Sequence, residues 1–221
     1  RKSSGKLEIL PQKHIDTGMG FERLVRVIQN KKSNYDTDIF LNIINEIEKL
    51  SGKKYGSDKK SDIAFRVISD HLRAVSFCIA DGQIPGNSGP SYVVRRILRR
   101  AIRYGYTFLN FSEPFIFKLV EIISEQFKSV FPEIDKQKLN IKSIIEQEEK
   151  VFLKTLSHGI NKLNNVIEKA KSEIISGKDV FELYDTYGFP VDLTSLILSE
   201  NQMKFDAVSY THLRAHETHS N

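Results

Sequence analysis

Tyr92-Val93-Val94-Arg95-Arg96-Ile97-Leu98-Arg99-Arg100-Ala101-Ile102-Arg103 is the stretch on which the fold class turns. Its arginines recur at helical spacing, and at 100° per residue Arg95, Arg96, Arg99, Arg100 and Arg103 fall within an arc of about 140°. Val93, Val94, Ile97, Leu98, Ala101 and Ile102 take the opposite side. The segment therefore reads as a helix with a core face and an arginine face. Five positive charges in nine residues hold no acid among them, while the net charge of the whole chain is +5, so the excess is local. Such a face needs anions: carboxylates elsewhere in the fold, or phosphate, the commonest external partner.

Outward from this helix the same periodicity continues. Upstream, Ser61 opens a helix with Ile63, Val67, Ile68, Leu72, Val75 and Ile79 on one face, ending at Gly82. Before it, Asp36 or Thr37 caps a helix through Leu50, closed by Gly52, with a polar linker over 53–60 between the two. Downstream, a helix runs from Pro114 to about Val130. An apolar stripe from Ile141 to Ala170 then predicts a helix of about 45 Å and an elongated helical domain. After Gly177 come a short apolar patch, a turn at Tyr187-Gly188-Phe189-Pro190 and a helix from Asp192 to Glu200. Leu7 to Ile15 reads as extended, leading through Asp16-Thr17-Gly18-Met19-Gly20 into a helix carrying Phe21, Leu24, Val25 and Ile28.

Composition narrows the class. With 221 residues, 40% hydrophobic and 28% charged, the chain has enough apolar material for a core and too little bias for disorder or a solenoid. Cys78, the one cysteine, lies in an apolar run and reads as a buried thiol in a reducing compartment. No apolar run is long enough for a membrane span and no signal peptide is evident, so the expected location is the cytoplasm, with no membrane partner. Residues 207–221 show no sustained periodicity. Their wording, Val208-Ser209-Tyr210-Thr211-His212-Leu213-Arg214-Ala215-His216-Glu217, resembles translated adapter read-through, so they are expected to be a non-native tail outside the fold.

As bare chemistry, Asp16 to Arg23 is a glycine turn at a helix N-terminus. Backbone N–H groups there can approach an anion and Arg23 can add a bidentate phosphate contact, but a tight turn with a surface arginine fits equally. It is neither a Walker loop nor a dinucleotide fingerprint. Read in full, the string resembles motif 3 of class II aminoacyl-tRNA synthetases, in the form found in the alanyl-tRNA synthetase family. Further blocks match in order: Ser33-Asn34-Tyr35-Asp36-Thr37-Asp38 with Phe40; Arg66 to Ala74 leading to Ile79-Ala80-Asp81-Gly82; Tyr92 to Arg103; and Leu183-Tyr184-Asp185-Thr186-Tyr187-Gly188-Phe189-Pro190-Val191-Asp192-Leu193-Thr194.

The resemblance implies a mainly α chain: residues 1–32 as the end of an antiparallel α/β catalytic domain, 33–206 as a helical tRNA-recognition domain. It implies ATP as substrate with Mg²⁺ assisting, no zinc site, and alanine and tRNA(Ala) as partners. By position, Arg23 would contact ATP phosphate beside Gly20, Asp16 would bind the alanine amino group, and Gly18 would line a small pocket. Asn87 and Asp185 would read a G·U wobble pair in the acceptor stem, with Arg95, Arg96, Arg99, Arg100 and Arg103 on the RNA. On their own chemistry Asn87 is a turn residue, Asp185 a cap and His71 a hydrogen-bonded structural histidine. The loop string Ser88-Gly89-Pro90-Ser91-Tyr92 departs from the family's glycine-rich form. Motifs 1 and 2 and the editing and oligomerisation regions are not found, so the expectation is an internal fragment, inactive alone. The alternatives are a stand-alone helical RNA-binding module without catalytic activity and a helical adaptor whose arginine face meets acidic protein.

Overall fold

The computed structural model describes residues 3–9, 12, 14, 17–170, 172–187 and 189–218, without the side chains of 216–218. The described chain is mostly helical and divides into two compact units, 1–42 and 43–221.

In the first unit, α1 (Phe21–Ile28) follows the glycine turn, with Gly20 as its N-cap. A short 3-10 turn (Asn34–Asp36) is capped by the Ser33 hydroxyl, which accepts from Tyr35 N. It leads into α2 (Asp38–Ser51). The Gln29 amide clamps the start of α2, donating to Asp38 Oδ1 (2.7 Å) and accepting from Asp38 N (3.3 Å). The expected extended segment is not a strand at 6–9, 12 or 14, and the rest of it lies outside the described residues. No strand lies beside it among the described residues to take its ladder hydrogen bonds, and Leu7 and Ile9 are exposed.

The second unit begins within α2, whose end Gly52 closes at φ +69°, and continues with α3 (Lys59–Ala80). Asp58 caps α3 by accepting from Ser61 N at 2.8 Å, and Gly82 closes it at φ +88°. Phe65, Ile68, Leu72, Val75 and Ile79 are buried on α3, which packs on α4 (Gly89–Leu109) and, less extensively, on the helices that follow; α4 buries Val94, Leu98, Ala101 and Ile102. Val93 is exposed, and Cys78 is half-buried instead of buried. Next come α5 (Ile116–Phe127), the five-residue α6 (Pro132–Lys136) and α7 (Lys138–Lys169). At 1.5 Å per residue, α7 is about 48 Å long. The apolar stripe of α7 packs on α5 and α4.

Two features stop the core from sliding. Phe189 seats on the bare backbone of Gly159 in α7, where an added Cβ would stand 2.1 Å from its ring. Glu149, buried in α7, accepts from the backbone N–H of Phe115, Ile116 and Phe117 at 2.9–3.0 Å, which caps α5 from a different helix. Burial pushes this carboxyl up to about 7, against the pull of the three donors.

Then β1 (Ile174–Ile175), α8 (Gly177–Asp185), α9 (Val191–Glu200) and β2 (Lys204–Phe205) follow, the two strands pairing in parallel. Ala207–Thr218 form α10 on α8, where the sequence shows no period. Asp206 caps α10 by accepting from Val208 N and Ser209 N, and Tyr210 buries its ring near Phe181, Tyr184 and Phe205.

Candidate functional site

The arginine face meets the protein's own carboxylates. Arg99 Nε donates to Glu148 Oε1 at 2.7 Å, its guanidinium 4.9 Å from the Phe152 ring centre, and Arg95 Nε lies 3.1 Å from the same oxygen. Arg96 Nε stands 3.7 Å from Asp192 Oδ2 on α9. Arg103 is 2% exposed and forks onto Glu200, Nη1 to Oε1 at 2.8 Å and Nη2 to Oε2 at 2.5 Å, with Tyr104 and Phe108 rings against it. A guanidinium so enclosed and paired has no face for an external phosphate. Arg100 forms no ion pair with a described residue, and it and Arg96 are the exposed pair, one helical turn apart. The sequence placed all five on one face; the structure leaves two of them open to solvent.

The loop before α4 is shaped by Gly89 and Pro90. Gly89 takes φ +55° immediately before Pro90, avoiding the right-handed conformation that a following proline disfavours. Pro90 falls in the first turn, where a missing N–H leaves no helical bond unmade. Gly86 N donates to Ser91 O at 2.9 Å, closing the loop. Pro90 therefore fits the helix start. The Asn87 side chain is exposed, and its Oδ1 accepts from Arg95 Nη1.

Asn87 lines a cavity of about 580 Å³ with Tyr92, Arg95, Arg99 and Tyr184. Asp185, the residue after Tyr184 and the last of α8, is exposed and makes no side-chain hydrogen bond with a described residue. It is no helix cap. An adjoining cavity of about 450 Å³ is lined by His71, Arg96, Arg100, Asp192 and Ser195. His71 Nδ1 lies 3.2 Å from Asp70 Oδ2, and this contact holds the Asp70 carboxyl below the usual range. The rim formed by Asn87 and Tyr184 thus comes from segments far apart in sequence, which no periodicity could join.

In the first unit, Asp16 lies outside the described residues. Gly18 faces open space, with nothing within 4 Å of an added Cβ. Gly20 is overlain by the Arg23 stem, whose Cδ would be 3.4 Å from a Cβ there, and the Arg23 side chain is exposed. Among the described residues no group of three or more His, Cys, Asp or Glu side chains converges for a metal ion. Nor, among those residues, is any helix long and apolar enough to cross a membrane.

A glycine turn with its arginine, followed by a helical unit carrying an arginine-lined groove, is the combination the class II synthetase strings predict. The family described as tRNA synthetases class II (A) matches residues 1–221, and the chain belongs to it. Among its curated relatives are the alanine–tRNA ligases of Christiangramia forsetii (56% identical over 206 residues), Cytophaga hutchinsonii (53% over 213) and Flavobacterium psychrophilum (50% over 219). The matches cover 93–95% of this chain but only 24–25% of each relative, so the chain spans about a quarter of their length.

Proposed function

We propose that the chain is the part of an alanine–tRNA ligase that carries the motif 3 nucleotide contacts and the acceptor-stem reader. The overall reaction joins alanine to tRNA(Ala) in two steps. The alanine carboxylate attacks the α-phosphate of ATP, releasing pyrophosphate and forming alanyl-adenylate. A terminal ribose hydroxyl of the tRNA then takes the alanyl group, releasing AMP. In the first unit, the N-terminus of α1 and the exposed Arg23 suit a polyphosphate, Gly20 keeping the backbone approachable. Asp16 is assigned to the alanine ammonium and Gly18 to the wall of a pocket for a methyl side chain.

The observation that carries the RNA half is the shared cavity of Asn87 and Tyr184 next to the exposed Asp185, whose side chain makes no hydrogen bond with a described residue. A carboxylate accepts from the guanine 2-amino group, which in a wobble pair stands in the minor groove without a base partner. An amide complements it on the same edge, and the shallow minor groove of A-form RNA lets both reach in. Arg96 and Arg100 supply phosphate contacts that hold the stem without reading it. In a full-length protein containing this stretch, Arg23→Ala should lower alanine-dependent ATP–pyrophosphate exchange about a hundredfold, the scale of losing one preorganised charge donor. Exchange at the parent rate in that variant, or exchange driven equally by unrelated amino acids, would contradict the proposal.

A further inference from the structure

Asn87 sits at the end of a chain of charge contacts that begins on α7, and the geometry assigns Arg95 as the residue that orients it. We infer that Arg95 acts on RNA through Asn87 by fixing its amide as a hydrogen-bond donor toward a base-edge carbonyl, and is not itself a phosphate contact. The inference rests on the reading of Asn87 as a base-contacting residue and adds its direction and its support.

An asparagine amide has one acceptor oxygen and one NH₂ donor, and a freely rotating amide offers either to a ligand. Here Arg95 Nη1 donates to Asn87 Oδ1, which turns the oxygen toward Arg95 and the NH₂ away from it. Asn87 Nδ2 has no partner among the described residues and is the end left for a ligand. Arg95 is itself held: Nε lies 3.1 Å from Glu148 Oε1, and its side chain is only 20% exposed. Glu148 is nearly buried and also receives Arg99 Nε at 2.7 Å, while Arg99 lies over Phe152. The carboxylate is thus fixed by two cations, one packed on a core ring. Arg95 Nε makes no hydrogen bond among the described residues, so it is the charge of Glu148 and the burial of its stem that hold the planar guanidinium with Nη1 toward Asn87.

The consequence is a division of labour. Asp185 carries acceptors only and suits the guanine amino group; Asn87 presents a donor and suits a pyrimidine O2 or purine N3, the acceptors of the minor-groove edge. An amide without Arg95 could flip and accept from a guanine amino group as well, and the distinction between edges would weaken. Arg95 is therefore a positioning residue for discrimination.

The test uses the 221-residue chain and two RNA hairpins that differ only in one acceptor-stem pair, G·U or G·C, with the ratio of their dissociation constants as readout. Asn87→Ala should cut the ratio about tenfold, within the range for a base contact. Arg95→Lys, which keeps the charge, should cut it about fivefold, and the double variant should fall no further than Asn87→Ala alone, as expected for residues acting as one unit. Asn87→Asp, which keeps the oxygen facing Arg95 and removes the donor, should behave like Asn87→Ala. Thermal melting checks that each variant is folded, and Glu148→Gln offers a second way to loosen Arg95. A parent ratio in both Arg95→Lys and Glu148→Gln, with Asn87→Ala impaired, would overturn the inference and leave the base-reading role standing. A parent ratio in Asn87→Asp would show that the amide accepts, which also overturns it. A parent ratio in Asn87→Ala would remove the base-reading role itself and the inference with it.

Discussion

Helices α1 and α4 begin alike and end up in opposite circumstances. Each is entered from a glycine-containing loop, each is amphipathic, and each carries arginine. Yet α1 buries no residue, with Phe21, Leu24, Val27 and Ile28 all exposed, whereas α4 buries eight and meets three carboxylates of its own unit with its arginines. An amphipathic pattern tells which face wants a partner and not whether the partner is at hand. The α4 groove is built by residues within 43–221, so its chemistry can be examined on this chain; the groups proposed to contact nucleotide at α1 are surface groups in the first unit.

The comparison is broken most directly by activity. The chain alone should show no alanine-dependent ATP–pyrophosphate exchange, because exposed groups such as Arg23 do not by themselves hold two substrates in attack geometry. Exchange above background from purified chain would mean that the first unit forms a working site after all. On the α4 side, Glu200→Ala should destabilise the fold by about 3–5 kcal/mol in urea, because it strands the buried Arg103 charge. Arg100→Ala, at an exposed position, should stay within about 0.5 kcal/mol. Similar losses for both would mean that the Arg103–Glu200 fork is not the tie it is taken to be.

Glu149 adds a pH dependence. Its folded pKa, about 7, lies above the ordinary 4.5, so the folded state binds this proton more tightly. The stability linked to it is full below about pH 4.5 and is lost as pH rises through 7, amounting to about 3 kcal/mol. Denaturation midpoints across that window should fall with rising pH, and Glu149→Gln should flatten the trend; an identical trend in the variant would place the effect elsewhere. The smallest effect sharpens the arginine assignment. Arg96→Gln with Arg100→Gln should reduce the magnitude of the log-log salt slope for RNA binding by about 1.4–1.8, two phosphate contacts' worth. No change would mean that neither touches the backbone of the stem.

Much of the second unit is legible from periodicity and punctuation. The apolar faces of α3, α4 and α7 are laid out at helical spacing, and Gly52 and Gly82 mark ends that the structure closes; α3, however, starts at Lys59 with Asp58 as its cap and not at Ser61, whose N–H is the group that Asp58 caps. What periodicity cannot show is where the arginines find charge. Glu148 is 49 positions from Arg99 and Glu200 is 97 from Arg103, and a local pattern carries no information at that range. One signal was present: Glu148 and Glu149 occupy the stripe between Ile145 and Phe152 in α7, where acids belong only if something inside receives them. The two-residue strands β1 and β2 and the five-residue α6 are too short to show a period. Helix α10 starts at the local Asp206 cap but depends on a seat for Tyr210 against Phe181, Tyr184 and Phe205, which is a tertiary matter. At the site, the strings of the family mark Asn87, Asp185 and Arg23, but the bond between Asn87 and Arg95 emerges only once the loop and α4 are folded together.

The most direct measurement of the central claim is the affinity of the folded chain for the two hairpins differing at the wobble pair, made with the parent chain and with Asp185→Ala at one fixed salt concentration. If Asp185 takes the guanine amino group, the parent should bind the G·U stem about tenfold more tightly than the G·C stem, and Asp185→Ala should bring the two affinities together by weakening the G·U complex. Equal affinities in the parent chain, or a preference that survives in Asp185→Ala, would contradict the assignment of this groove as the reader of the acceptor stem.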